Sequence, residues 1–437
     1  MFDTRGTKLL GYIWLQPGVS RLNGWTLLYV LFISIGLLVF LNFQQPYVLE
    51  VMLGIPRAEH GRVVAQMALV HELVLIGFVG PAGALADRVG RRKVLFTGYL
   101  ILSVGYIAYP FATSVELLTA FRAIFALGAA LVISTFTTVL TDYPQEQSRG
   151  KLIATGSILN ALGLMLLAGL GGQVIKWLTA DGMDPVAAGQ AAIVGVGLIG
   201  VLCAIIVWTG LRGEKLVLEH EKIPFGQLIR EGFGAARNPR VALAYLSAFI
   251  SRGDNVVIGA YLSLWAQNAG IAAGLSAGDA QAKAGIMIAI VSVAPLPFAA
   301  LFGVLNDRMG RVTGMVIAMT LSMTGYLAFG LLDSPLAGYA IPVGILMGIG
   351  QVLSVVAGQT LIGQEADPRI TGSTLGVFNL FGSVGTLVSS VLGGYLFDLW
   401  TNGGPFLMMG IGSGIVLAYA LYVRARHDVA SPAAGTA

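Results

Sequence analysis

Long apolar runs separated by short polar breaks dominate the chain. A membrane-spanning helix needs roughly 20 mostly apolar residues, and the pattern predicts twelve. They lie near 25–45, 63–86, 93–112, 115–140, 150–175 and 188–211, then near 240–267, 284–305, 312–332, 337–362, 371–397 and 404–424. Alternation of apolar and polar residues with period two is absent, which argues against a barrel of membrane strands. The largest polar break, 212–239, divides the chain into halves of six spans each. The expected organisation is therefore a segment 1–24, a six-helix bundle over 25–211, a linker over 212–239, a second bundle over 240–424 and a tail over 425–437. The fold class is all-α membrane protein. Within the linker, Phe225–Asn238 reads equally as a helix on the membrane surface or as a solvated connection. The N-terminal stretch "KLLGYIWLQPGVSRL" mixes apolar and basic residues and suits an interfacial segment.

Composition narrows the class further. Of the 437 residues, 56% are hydrophobic and 11% charged, where a soluble domain carries about 25% charge. Disordered chains, coiled coils and nucleic-acid binders are excluded. The single cysteine, Cys203, permits no intrachain disulfide, and four dispersed histidines offer no metal cluster, so no cofactor is expected. The first apolar stretch is too long for a cleaved leader. Basic residues set the orientation. With twelve spans both termini share a side, and twenty of the 26 Lys and Arg fall there, including Arg5, Lys8, Arg21, Arg88, Arg91, Arg92, Lys93, Arg149, Lys151 and Arg212, then Lys215, Lys222, Arg230, Arg237, Arg240, Arg308, Arg311, Arg369, Arg424 and Arg426. Arg57, Arg62, Lys176 and Lys283 fall on the other side, while Arg122 and Arg252 lie within spans. Both termini are expected to be cytoplasmic. Short loops without an N-x-[ST] sequon fit a bacterial inner membrane.

The halves repeat. Adding 220 carries Gly83, Asp87, Arg88, Gly90 and Arg91 onto Gly303, Asp307, Arg308, Gly310 and Arg311. The same offset carries Gly105, Tyr106 and Ala108 onto Gly325, Tyr326 and Ala328, Gly128 onto Gly348, and Arg149 onto Arg369. Two copies in one orientation imply bundles meeting around a central path. The sharpest local pattern follows span two, "GALADRVGRRK", with a second copy "GVLNDRMGR" following span eight. Gly83 ends a helix and permits a close neighbour, Asp87 can pair at the surface, and Arg88, Arg91 and Arg92 crowd a turn suited to an ionic latch. In these residues the chain resembles the major facilitator superfamily, whose hallmark is G-x-x-x-D-[RK]-x-G-[RK]-[RK] in this position. The second copy departs from it at Val312. The resemblance implies the superfamily fold of two six-helix bundles, and a cytoplasmic gate in which Gly83, Asp87, Arg88, Gly90, Arg91, Arg92, Asp307, Arg308 and Arg311 take part. "FRAIFALGAA" on span four resembles the superfamily's R-x-x-x-G-x-G motif. Arg122 and Gly128 match and Ala126 departs. Proton-coupled members carry that motif, so Arg122 is expected to tune a proton-binding carboxylate or to bind an anion. The Gly-Pro of the antiporter motif is missing from span five.

Ionisable groups within spans are unfavourable and mark function. His71 and Glu72 are neighbours and point about 100° apart. Glu72 shares a face with Ile76, Gly80 and Gly83 and is the expected proton carrier or gate residue, while His71 shares an apolar face and reads as structural. Arg252 and Asp254 lie about 200° apart on span seven and are not expected to pair. Asp254 is the second proton-coupling candidate, aligned with Tyr261 and Trp265, and Arg252 aligns with Asn255. In the superfamily spans one, four, seven and ten line the cavity. Arg252, Asn255, Tyr261, Trp265, Asn42, Gln45, Gln351 and Gln359 are therefore the expected substrate contacts. The expected activity is secondary transport of a small solute by alternating access in a lipid bilayer, not enzymatic. No Walker sequence is present to use ATP. Proton-coupled export of an amphipathic compound, a drug or a lipid is favoured. Uptake of a metabolite such as an organic acid, and uncoupled facilitation, remain the alternatives. A monomer is expected.

Overall fold

The computed structural model describes residues 6–213, 225–366 and 370–428. Arg5, Lys215, Lys222, Arg369 and positions 429–437 of the tail lie outside the described residues. Among those described, twelve helical segments are long and apolar enough to cross a membrane.

The N-terminal unit holds α1 (Arg21–Tyr47), α2 (His60–Val89), α3 (Arg91–Ala108), α4 (Val115–Asp142), α5 (Glu146–Ala180) and α6 (Pro185–Gly210). The chain marks several of these starts itself. Ser20 and Asn23 form a reciprocal capping box on α1, Ser114 accepts from Leu117 N on α4, and Asp184 accepts from Val186 N ahead of Pro185-led α6. Glycine then lets helices approach. A Cβ built on Gly105 falls 2.7 Å from Phe125 Cα, and one on Gly128 falls 2.7 Å from Leu102 Cα, so α3 and α4 meet backbone to backbone. Gly83 and Gly303 correct the expectation from the motif, because a Cβ on either meets nothing within 4 Å.

Ahead of α1, β1 (Lys8–Leu9) and β2 (Ile13–Trp14) form an antiparallel hairpin rather than a plain interfacial segment. Leu10 and Gly11 both take positive φ, the geometry of a tight hairpin turn. Leu9, Ile13 and Leu15 alternate inward and are fully buried. The strand continues into a pairing with the connection between α4 and α5. Gln16 N donates to Tyr143 O at 2.8 Å, Gln145 N to Trp14 O at 2.9 Å, and Trp14 N to Ser148 Oγ at 2.9 Å.

The C-terminal unit holds α7 (Phe225–Ala235), α8 (Pro239–Val256), the start of α9 (Leu262–Ala272), the end of α10 (Ala277–Val293), α11 (Leu296–Arg308), α12 (Arg311–Gly330), α13 (Ala340–Glu365), α14 (Thr371–Leu399) and α15 (Gly404–Val423). Span seven is α8 and α9 joined by a π-helical turn, Val257–Tyr261. Span eight is α10 and α11, interrupted before Pro295. The linker helix α7 is neither free nor a lone surface helix. Tyr245 donates to Gly232 O at 2.8 Å, and the Phe233 ring lies 6.0 Å from that of Phe381 on α14.

The division between units does not fall at the linker alone. Residues 270–289 pack with the N-terminal unit. There Gln281 Nε2 donates to Phe43 O at 2.5 Å, Lys176 pairs with Asp279 at 3.0 Å, and Gly172 abuts Ala282.

Candidate functional site

The N-terminal unit gathers its charged groups around Arg122. α4 carries the guanidinium into the bundle, where the side chain is 3% exposed. Nη2 donates to Asn42 Oδ1 on α1. The Glu72 carboxylate on α2, itself 8% exposed, the Tyr106 hydroxyl on α3 and the Tyr109 hydroxyl just past its end contribute to its electrostatic surroundings. Its Cζ also stands 5.2 Å from the centre of the Phe125 ring. Nε and Nη1 of Arg122 have no hydrogen-bond acceptor. The two open donors lie on either side of Cδ, so each can donate to a separate acceptor oxygen. His71 joins the same group, stacked on Phe125 at 5.7 Å, with Nδ1 unpartnered. The stacking on Phe125 ties α2 to α4 at this point. Gln45 lies one turn along α1, buried, with Nε2 3.7 Å from Met67 Sδ.

The C-terminal unit holds a different arrangement. Asp254 is 0% exposed, and neither carboxylate oxygen has a hydrogen bond of good geometry. The Tyr326 hydroxyl on α12 interacts with it and is likewise without a well-formed bond. Arg252 points elsewhere and donates from Nη2 to Asn379 Oδ1 at 2.6 Å. The two charged groups do not pair, as their spacing predicts. Gln351 donates to Asn255 Oδ1 at 3.2 Å, so two of the expected polar contacts do meet. Gln359 is exposed.

Tyr261 and Trp265 depart from the expected stripe. The Tyr261 hydroxyl is used by Ser390 O, and its ring lies against Gly393. Trp265 is packed against Phe329 and Phe406, 5.7 and 5.6 Å away. Both belong to the unit's aromatic core. The cause is the π-helical turn between Asp254 and Tyr261, which adds a residue and breaks the seven-residue register that would align them.

At the arginine-rich end of the N-terminal unit, Arg91 forms an ion pair with Asp142 at the end of α4. Arg92 turns away and stacks on Trp208 of α6 at 4.8 Å. Gly90 takes φ of +98°, the left-handed conformation that ends α2 and starts α3. Arg88 is exposed. In the second copy Arg311 donates to Thr360 O at 2.8 Å. The side chains of Asp87, Asp307 and Arg308 lie outside the described ones. Beside Asp142, burial raises the Tyr143 phenol above its ordinary pKa, and Arg212, Arg91 and Arg92 oppose that rise.

Sequence reasoning missed Asp142, Tyr109, Asn379 and Tyr326. Tyr326 alone left a signal, since Tyr106 and Tyr326 are repeat-mates.

Twelve spans in two repeated halves, with charged groups held inside the membrane, define a polytopic carrier. The chain belongs to the Major Facilitator Superfamily, whose family model matches residues 30–282 and 244–437. It is a multi-pass membrane protein of a family of secondary transporters for small solutes. It is 25% identical over 399 residues to magnetosome protein MamH of Paramagnetospirillum magneticum, covering 88% of each chain. It is 25% identical to multidrug resistance protein MdtG of Erwinia billingiae, covering 78% of each. The crystal structure of the nucleoside transporter NupG superposes with a TM-score of 0.68 at 14% identity, covering 93% of this chain and 99% of that one. At that identity the likeness speaks to the fold.

Proposed function

We propose that this transporter is a proton-coupled exporter of amphipathic solutes, working by alternating access in a bacterial inner membrane with both termini cytoplasmic. The observation that carries the reading is the buried group of Arg122, Glu72 and Asn42. With Glu72 ionised, the guanidinium has a counter-charge. When Glu72 takes a proton, that counter-charge vanishes and Arg122 must find another acceptor or rearrange. A proton is thereby converted into a change of packing among α1, α2 and α4. Asp254 supplies a second carboxylate, without a hydrogen bond of good geometry, on span seven. The likeness to a multidrug resistance protein supports export of a drug-like compound. The motif residues Arg91 and Arg311 would steady the cytoplasmic gate.

A second reading, uptake of an organic acid, is favoured by the two open donors of Arg122. Proton flux in proteoliposomes decides between them. A pH-sensitive dye is followed while lipophilic cations, organic acids and lysolipids are added in turn. Flux driven by a cation or lysolipid and lost in Glu72→Gln or Asp254→Asn supports export. Flux driven by an organic acid supports the second reading, and tracer movement without proton flux overturns both in favour of a facilitator.

A further inference from the structure

Asp142, the partner of Arg91, is the last residue of α4. The position is an awkward one. A carboxylate at the C-terminal end of a helix opposes the helix dipole, and α4 has no basic residue in its last turn to offset it. No glycine stops the helix either, since Tyr143 keeps helical φ and ψ of −74° and −38°. Its carbonyl lies past the last helical bond and needs a donor from outside the helix. Gln16 N of the N-terminal hairpin supplies that donor at 2.8 Å. The second copy of the motif needs no such help. There Arg311 donates to Thr360 O, a backbone carbonyl inside α13 that the helix itself holds in place.

The hairpin grips the α4–α5 connection on both sides of Tyr143. Leu15 bridges to Pro144 in antiparallel fashion, Gln145 Nε2 donates to Leu15 O at 3.0 Å, and Gln16 Nε2 donates to Pro144 O at 3.4 Å. On α5, Ser148 Oγ accepts from Trp14 N at 2.9 Å, and Thr155 Oγ1 lies 2.9 Å from the Tyr12 hydroxyl. The hairpin is itself seated on α1, where a Cβ built on Gly24 stands 2.9 Å from Leu15 Cδ1 and 3.0 Å from Leu9 Cδ1. Beyond α6, Arg212 N donates to the Tyr143 hydroxyl at 3.1 Å. Contacts from α1, α5 and the end of α6 thus converge on the residue next to Asp142.

We propose that the N-terminal hairpin is the positioning element of the Arg91–Asp142 latch. Docked, it caps α4 through Gln16 and holds Asp142 beside Arg91. Undocked, it lets the last turn of α4 open and the ion pair part. Linkage makes the effect reciprocal, so breaking the ion pair must loosen the hairpin by the same factor. Only the consequence for the transport cycle rests on the reading of Arg91 as a gate residue. The link between hairpin and latch belongs to the N-terminal unit alone.

Thiol labelling of the purified full-length protein in detergent tests the link without substrate or proton flux, so its outcome is independent of the export reading. Ile13→Cys and Leu15→Cys, made separately, place a reporter at fully buried positions of the hairpin. The natural Cys203, also fully buried, reports unfolding of the bundle in the same molecule, and peptide mapping separates the two thiols. Arg91→Gln and Asp142→Asn should each speed labelling of both reporters at least about fivefold, the double variant no more than the faster single, with Cys203 still protected. Ser148→Ala, which removes the acceptor for Trp14 N, should speed labelling too, and Ser148→Thr should restore the slow rate. Reporter labelling unchanged by Arg91→Gln and Asp142→Asn overturns the proposal, even if Ser148→Ala speeds it, because the hairpin would then be packing alone. Equal speeding by Lys151→Gln, an exposed basic residue on α5, would mean a diffuse charge effect and overturns it as well. So does labelling of Cys203 that rises in step with the reporters.

Discussion

Glu72 and Arg122 offer the most exacting test of the buried group. At 8% and 3% exposure the two belong to the regime of buried charges, where losing one partner costs about 3–5 kcal/mol, against 0–1 kcal/mol for a surface pair. Glu72→Gln keeps the shape and removes the counter-charge, leaving a cation in the bundle. Arg122→Gln leaves the opposite charge. Each single change should therefore destabilise by about 3 kcal/mol, while the double variant, with neither charge left, should cost no more than either one. That gives a coupling energy of about 3 kcal/mol, the upper end of the range for residues that share one charge network. Unfolding in detergent can be followed through Cys203, the chain's single cysteine and fully buried, which reacts with a fluorogenic thiol reagent only as the fold opens. Additive effects, within about 0.5 kcal/mol, would show that the two side chains do not act on each other. The proton-switch argument would then lose its physical basis.

Asp254→Asn replaces a buried carboxylate that lacks a good hydrogen bond with a neutral group of the same shape, so it should raise stability by about 1 kcal/mol while abolishing any proton uptake that depends on it. A lower unfolding midpoint would mean that the charge is satisfied. Gly128→Leu drives a side chain into the α3 backbone and should cost about 3 kcal/mol or more. Gly83→Leu, where the space is open, should stay within about 0.5 kcal/mol in the same unfolding assay. With Cys203 buried, Lys283→Cys provides the only accessible thiol, and it should react with an impermeant reagent added to intact cells. Reaction only from the cytoplasmic side would invert the topology.

The twelve spans and the duplicated halves were legible because an apolar run of membrane length has few other uses, and because the repeat kept Gly105, Tyr106 and the motif glycines. Arg122 and Glu72 were legible as charges that lipid does not tolerate. Their partners were not, since Asn42, Tyr109 and Phe125 reach them from other helices or as ordinary core residues. Tyr261 and Trp265 misled because helical spacing assumes an uninterrupted α-helix, and a π-turn leaves no mark that composition reveals. Gly83 misled in another way. The motif suggested a close approach, whereas the close approaches lie at Gly105 and Gly128. The attachment of residues 270–289 to the N-terminal unit was hidden too, because it rests on Gln281, Asp279 and Gly172, residues unremarkable in their own neighbourhoods.

The N-terminal hairpin has a consequence for how the chain is made. Its strand pairs with residues that follow 130 positions later, beyond four membrane spans. At about 5–20 residues per second, translation delivers that partner roughly 6–26 s after the hairpin itself has left the ribosome. Leu9 and Leu15 can meet the start of α1 at Gly24 early, but the pairing with Tyr143–Ser148 can form only once α4 has been inserted and its end has returned to the starting side. Docking of the hairpin thus reports that the first four spans have threaded correctly, and a fluorophore at Tyr12, beside Thr155 in the finished fold, would time that event during synthesis.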